Sequence, residues 1–325
     1  MYKVFVQPQS ELSHLQDVVL TWPEGAIGLA NGELALEHMD EVLAWRPRFY
    51  KKSIRLGSSL AAELDSRHQA LRALVAKAAE PGEQLPQLDP DVNYIYMAHP
   101  FGFYAFGHLF DSLQRLIHAV GKVPEPFKVL HFKSARIVDF ESHLEKFGVR
   151  RDQLELVKKT VRVKHLWISP WQTHPAGLAG AAFHAIYDRY THGQPKSPRT
   201  RLYLTRNHVK QGARGVLNEA EVVHFLKRKG FQVLNGSEPL DTIVGLFHRA
   251  QLVVGPHGSL LANTMFCQPD CTVIEYCPSN RLDLSFKTKT KLCKDYRHHL
   301  IGADSSYNIE IPIDHLAMQL DGLEI

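Results

Sequence analysis

The run Gly255-Pro256-His257-Gly258-Ser259 follows apolar Leu252-Val253-Val254 and precedes Leu260-Leu261-Ala262-Asn263. A strand that ends in a glycine-containing turn at a helix start exposes unpaired N–H groups at the positive end of the helix dipole. That is a ready site for phosphate. Gly258 lets an anion approach the backbone, Ser259 can cap the helix or donate its hydroxyl, and His257 is placed to donate to the same anion. Asn263, one turn into the helix, braces the loop. The plainer alternative is an ordinary strand–helix turn with a core histidine. The spacing is not Gly-x-Gly-x-x-Gly, so a dinucleotide fingerprint is absent.

Thr205-Arg206 closes the apolar strand that begins at Arg201, and Arg214 follows in a loop carrying Gly212 and Gly215. These arginines leave the same sheet edge as His257. Two guanidinium groups and a helix start would suit a diphosphate, because guanidinium pairs planar oxyanions bidentately. The alternative for each arginine is a solvated basic loop. Glu275 ends the strand Thr272–Tyr276, on the edge where a nucleotide ribose would lie. Its carboxylate could accept from two ribose hydroxyls, or be an exposed strand end.

A further cluster lies on one predicted helix. At 100° per residue, Phe106, Leu109, Phe110, Leu113, Leu116, Ile117 and Val120 form an apolar stripe, with His108, Asp111, Arg115 and His118 opposite. The polar side is either a solvated outer face or the lining of a cleft. Asn218, Glu219 and Glu221 read as helix capping, and Glu238 beside Pro239 as a helix start. Asp89-Pro90-Asp91 matches a metal-binding Asp-x-Asp by chance, given its proline-rich setting.

The elements that must position these groups are clear in the second half. Strands at 201–205, 231–234, 251–254 and 272–276 alternate with helices opening at Asn218, Pro239 and Ser259, the pattern of a parallel sheet with helices on both faces. The first half is noisier. Strands are expected at Lys3–Gln7, Asn93–Met97, Lys128–His131 and Leu166–Ser169, with helices near 60–79, 105–120 and 139–147. The polar stretch 191–198, rich in Pro and Gly, divides the chain into domains 1–194 and 195–325. The fold class is therefore α/β, with two Rossmann-like domains facing a cleft at the carboxyl ends of their strands. The C-terminal helix is left free to return to the first domain.

Composition excludes several classes. With 44% hydrophobic residues, a formal charge of +4 and 39 Gly plus Pro in 325 residues, a full core is expected rather than disorder. The 19 His are scattered, so no metal-storage tract exists. No signal peptide or bilayer-spanning run is visible. Cysteines 267, 271 and 277 lack paired Cys-x2-Cys knuckles, so structural zinc is not expected, and a reducing compartment is. The basic runs at 158–164 and 287–294 lack interleaved aromatics, so nucleic acid is not an expected partner. They suit a solvated face, or peripheral contact with an anionic membrane or polyanionic glycan.

From Tyr203 to Pro278 the chain resembles glycosyltransferase family 61. The likeness rests on Leu204-Thr205-Arg206, Arg214, Asn218-Glu219, Glu221-Val222, Gly230-Phe231, Glu238, Leu246-Phe247, Ala250, Gly255 to Ser259, Leu261-Ala262-Asn263, Phe266 and Ile274-Glu275. Phe106 to Leu113 resembles the family's amino-terminal His/Asp segment. Ser259 stands where many members have Ala. The resemblance implies a GT-B enzyme that moves a sugar from a nucleotide-sugar, typically a UDP-sugar, to a glycan or other hydroxyl acceptor. It further implies inversion, no essential metal and no cofactor. Such a transfer needs a base for the acceptor hydroxyl; Asp111 is the first choice, with His108 as its orienting partner or the base itself. Arg206, Arg214 and the His257–Ser259 turn would hold the leaving diphosphate. A nucleotide-sugar epimerase or hydrolase on the same architecture, or a non-catalytic glycan- or nucleotide-binding protein, are the alternatives. A cytoplasmic bacterial or viral enzyme is expected.

Overall fold

A computed structural model describes residues 13–20, 27–28, 69–96 with short gaps, 106–131, 140–168, 180–206, 214–281, and 284–323 with single-residue gaps. The expected strand Lys3–Gln7, most of the helix near 60–79 and the loop 207–213 lie outside these residues. The chain forms two compact units, Met1–Gln172 and Thr173–Ile325.

The first unit holds a six-stranded sheet in the order β2-β1-β6-β3-β4-β5. Its strands are β1 (Ser13–Leu20), β2 (Ile27–Gly28), β3 (Asn93–Tyr96), β4 (Phe127–His131), β5 (Leu154–Leu156) and β6 (Val161–Ile168). β6, β3, β4 and β5 pair in parallel, while β1 lies antiparallel on β6. Helices α1 (Phe106–Ala119) and α2 (Phe140–Glu145) fall where periodicity places them. Asp89 and Asp91 form a turn ahead of β3, with the Asp91 N–H donated to the Asp89 carboxylate at 3.0 Å. That is a structural use of the Asp-x-Asp pattern.

The second unit is a five-stranded, wholly parallel sheet in the order β11-β10-β9-β7-β8. Its elements are α3 (Gly180–Thr191), β7 (Thr200–Leu204), α4 (Glu219–Arg228), β8 (Phe231–Leu234), α5 (Leu240–Arg249), β9 (Ala250–Pro256), a 3₁₀ helix (Ser259–Phe266), β10 (Thr272–Pro278), β11 (Asp295–Ile301) and α6 (Ile313–Asp321). α3 packs on α5 and the 3₁₀ helix, so the compact unit begins some twenty residues before the Pro/Gly stretch. Its Tyr190 ring lies 4.8 Å from that of Phe266. α4 and α6 touch one another and share a core with Tyr203, Val254, Ile274 and Tyr276 from the sheet. α6 is tied to its own unit, with Tyr276 Oη 3.3 Å from His315 Nδ1.

Two capping expectations are corrected. Asn218 precedes α4 but makes no side-chain cap. Its amide instead brackets Ile311, donating to that carbonyl at 2.9 Å and accepting from that N–H at 3.0 Å. Glu219 is buried and accepts from Tyr203 Oη at 3.1 Å. Glu238 accepts from the N–H groups of Asn235 and Gly236, fixing the turn after β8. No described helix is long and apolar enough to cross a membrane.

Candidate active site

In chain order the second sheet reads 2-1-3-4-5, so its order reverses between β7 and β9. The chain leaving β7 crosses towards β8, and the chain leaving β9 towards β10. Their carboxyl ends therefore part and leave a crevice, the place where open parallel sheets bind ligands. Arg206 lies two residues beyond β7 and Gly258 two beyond β9.

A contact joins them. A Cβ added at Gly258 would fall 2.0 Å from Arg206 Nη1 and 3.0 Å from its Cδ and Cζ. The guanidinium thus lies against the bare α-carbon, and a larger residue there would have to push it aside. Gly258 has φ 179, extended backbone open to any residue, so the requirement is for space rather than conformation. Gly255 has a similar role three residues earlier, within β9, where a Cβ would sit 2.8 Å from Leu204 Cβ. The two strand ends are drawn together by small residues.

Arg206 carries an unmet demand for an anion. Its Nε is buried with no hydrogen-bond partner among the described residues. Burial, then the nearby Arg281 guanidinium, pull its pKa below the usual arginine range. Two cations close enough to repel, one with a desolvated unpaired donor, cost free energy until an anion meets them. Arg281 escapes sequence reasoning although its position is informative: it follows Pro278 at the carboxyl end of β10, as Arg206 follows β7.

His257 is held from behind. Its Nδ1 lies 2.6 Å from Glu275 Oε1, and its backbone N–H donates to Tyr276 O at 2.8 Å. Tyr296 Oη donates to Glu275 Oε2, and the Phe286 ring packs 5.0 Å from the imidazole. His257 and Glu275 are buried, the carboxylate fully. Strand register explains the pairing: Glu275 sits beside Gly255, two residues before His257 on the neighbouring strand, so both side chains leave the same sheet face. With Nδ1–H on the carboxylate, the tautomer is set and Nε2 is the ring's remaining polar atom. Glu275 thus has both oxygens engaged inside the unit, on a histidine and a tyrosine. It is buried within β10, so the exposed strand end that the sequence left open is not what forms. Tyr296 escapes notice because β11, Asp-Tyr-Arg-His-His-Leu-Ile, is too polar to read as a strand. It is an edge strand paired with β10 and only partly buried.

Ser259 is exposed at the first position of the 3₁₀ helix. The first intrahelical bond runs from Leu261 N–H to Gly258 O at 2.9 Å, so the N–H groups of Ser259 and Leu260 have no acceptor within the helix. Asn263 is fully buried; its Nδ2 donates to Leu260 O at 3.0 Å, while Oδ1 has no partner among the described residues. Arg214 has left-handed backbone, φ 70, and gives its N–H to Ser306 O at 3.1 Å. The segment 304–309 thus anchors its loop, with Gly215 N–H bonded to Asn308 Oδ1. Arg206 and Gly258 are brought together, as are His257 and Glu275, while Arg214 is anchored through its backbone on the 304–309 segment.

On the first unit, α1 carries the expected base. The side chains of His108 and Asp111 lie outside the described residues. Their neighbours are buried, in contrast to a solvated outer face: Ser112, Gln114 and Arg115 are at most 5% exposed. Ser112 Oγ, both Gln114 amide atoms and His118 Nε2 are buried without hydrogen-bond partners among the described residues. Burial, then Lys122, lower the pKa of His118.

The cysteines group differently from their spacing. Cys267, Cys271 and Cys293 converge, whereas Cys277 donates to Arg281 O. Thiol hydrogen bonds from Cys267 and Cys271 pull Cys293 down to about 5, and burial pushes Cys267 up.

The family model of Glycosyltransferase 61 matches residues 106–274, which is 169 of the 325 residues. The chain belongs to glycosyltransferase family 61. The matched span opens on the first residue of α1 and closes one residue before Glu275. It contains His108, Asp111, Arg206, Arg214 and the whole Gly255–Ser259 turn. No curated protein matches the chain as a relative. A glycosyltransferase acts on a sugar donor and an acceptor.

Proposed function

We propose that this enzyme is an inverting, metal-independent glycosyltransferase that takes its sugar from a UDP-sugar, on a GT-B architecture. The observation that carries the reading is Arg206, a buried cation whose Nε is unpaired among the described residues, seated on Gly258 at the reversal of the parallel sheet. The donor diphosphate is held there by Arg206 and Arg281, with Arg214 on the neighbouring loop and the N–H groups of Ser259 and Leu260. His257 donates to the leaving diphosphate, and Glu275 stabilises the positive charge that donation requires on the ring. Guanidinium and imidazolium groups supply the neutralisation that a divalent cation provides in other transferases.

In the reaction the acceptor oxygen attacks the anomeric carbon as the bond from that carbon to the phosphate oxygen breaks. The electron pair leaves on the diphosphate, and the hydroxyl proton passes to a base. Asp111 is assigned that role, with His108 as its partner or substitute; both fall inside the family match. Proton transfer of this kind is worth about 10²–10⁴-fold. The acceptor is a glycan or glycoconjugate.

The test measures nucleoside diphosphate released from a panel of nucleotide-sugars, with and without glycan acceptors, together with the product's anomeric configuration. Acceptor-dependent release of UDP, inversion and indifference to chelator are expected. Release that ignores every acceptor would indicate a hydrolase or epimerase. Retention, or chelator loss restored by Mg²⁺ or Mn²⁺, would overturn the mechanism. Asp111→Asn combined with His108→Ala should abolish turnover while donor binding persists; unchanged turnover would refute the base assignment.

A further inference from the structure

At the opposite, amino end of the second sheet three cysteines meet. Cys267 closes the 3₁₀ helix, with its N–H on Thr264 O at 3.1 Å; Cys271 closes the next turn, with its N–H on Gln268 O at 3.1 Å. Cys293 donates its N–H to Thr290 O at 2.9 Å, and Lys294 N–H reaches Cys271 O at 2.8 Å, just ahead of the β10–β11 ladder. Backbone hydrogen bonds thus fix each cysteine. The three Sγ atoms lie within 4.8 Å of one another, and all are free thiols. Cys267 and Cys271 are fully buried, and Cys293 is partly exposed.

We propose that Cys267, Cys271 and Cys293 bind one thiophilic metal ion, Zn²⁺ or Cu⁺, as three thiolates. Sulfurs at the usual Zn–S length of about 2.3 Å stand roughly 3.8–4.0 Å apart around a tetrahedral or trigonal ion, so the existing triangle needs little contraction. A disulfide requires two sulfurs at about 2.05 Å and strands the third. No histidine or carboxylate joins the group among the described residues. The adjacent Asp270 is committed to Arg199 at 2.8 Å. Three soft donors without a hard one favour thiophilic ions over Mg²⁺ or Ca²⁺. Trigonal Cu⁺ is complete with three thiolates, and Zn²⁺ adds a water on the open side at Cys293. Linear spacing conceals the site, because its third ligand lies 22 residues beyond Cys271 while the nearer Cys277 points elsewhere.

The ion clips the end of the 3₁₀ helix to the end of the segment 279–294, at the edge of the sheet away from His257. The clip takes no part in the chemistry. It is independent of the proposed donor and acceptor.

The test is metal analysis of the full chain isolated under reducing conditions, followed by competition against zinc- and copper-selective chelators. About one Zn²⁺ or Cu⁺ per chain is expected, with the chelator arms deciding which. Cys267→Ser, Cys271→Ser and Cys293→Ser should each lose it, and Cys277→Ser should keep it. Because a serine variant could misfold, Cd²⁺ loading of the unaltered protein gives a second readout, an ultraviolet thiolate-to-metal band. Reduced, folded protein that takes up none of these ions against a micromolar chelator would overturn the proposal. So would a disulfide among the three in protein isolated with its thiols blocked.

Discussion

At the carboxyl end of the second sheet, Arg206 keeps a buried Nε without an acceptor among the described residues. At the amino end, Arg199 places Nη2 on both Asp270, at 2.8 Å, and Ala250 O, at 3.1 Å. Nearby, Gln268 Nε2 reaches His248 O at 2.8 Å. Two arginines flanking one strand thus have opposite fates. The satisfied one staples the fold, while the unsatisfied one awaits an anion. The contrast is between these two side chains, one on each end of β7. An orphaned buried cation is costly unless something outside the chain meets it.

The largest effects should come from the withheld arginine. Arg206→Ala is expected to weaken UDP binding by about 10²-fold, the worth of a charge-assisted hydrogen bond, with little loss of thermal stability. Gly258→Ala should do nearly the same, since the new methyl occupies the guanidinium's place. Arg199→Ala is the counterpart. It should lower Tm by a few degrees and leave UDP affinity unchanged, because this half-exposed pair is worth about 1 kcal/mol or less. Calorimetric titration beside thermal melts checks all three, and loss of UDP binding in the Arg199 variant would erase the contrast.

A middle-sized effect separates two roles for Glu275. As the group orienting His257, Glu275→Gln should lower kcat by about 10-fold with donor KM nearly unchanged. Tyr296→Phe should show a weaker form of the same split. A raised donor KM with kcat intact would instead mark Glu275 as a ribose ligand.

The smallest effect concerns pH. Burial, and after it His315, hold the pKa of His299 below its usual 6.5. The unfolded chain therefore binds a proton more readily, so stability rises with pH through that window and falls as pH drops through 6.5. Tm should decline between about pH 7 and pH 5, less steeply in His299→Gln. An identical slope in that variant would remove His299 as the cause.

The second sheet was legible because its strands are apolar runs punctuated by Gly, Pro and helix-start residues, and because Arg206 and His257 follow closely on β7 and β9. β11 was not, since an edge strand tolerates Asp295, Arg297 and two histidines. With it went Tyr296 and the true environment of Glu275: a carboxylate at a strand end looks exposed until the neighbouring strands bury it. In the first half β1 escaped notice too, its Ser-His-Leu-Gln-Asp run pairing antiparallel on β6, where His14 stacks on Trp167 at 4.2 Å. The cysteine group was invisible because contact between residues 271 and 293 comes from strand pairing, which spacing does not encode.

The central claim is that the carboxyl edge of the second sheet binds the diphosphate of the donor. Titration of UDP into the unaltered enzyme and into Arg206→Ala, followed by calorimetry at two salt concentrations, tests it most directly. The account predicts saturable one-to-one binding to the unaltered enzyme, weakened by salt and by about 10²-fold on removing the guanidinium. Equal affinity in the two proteins would contradict it.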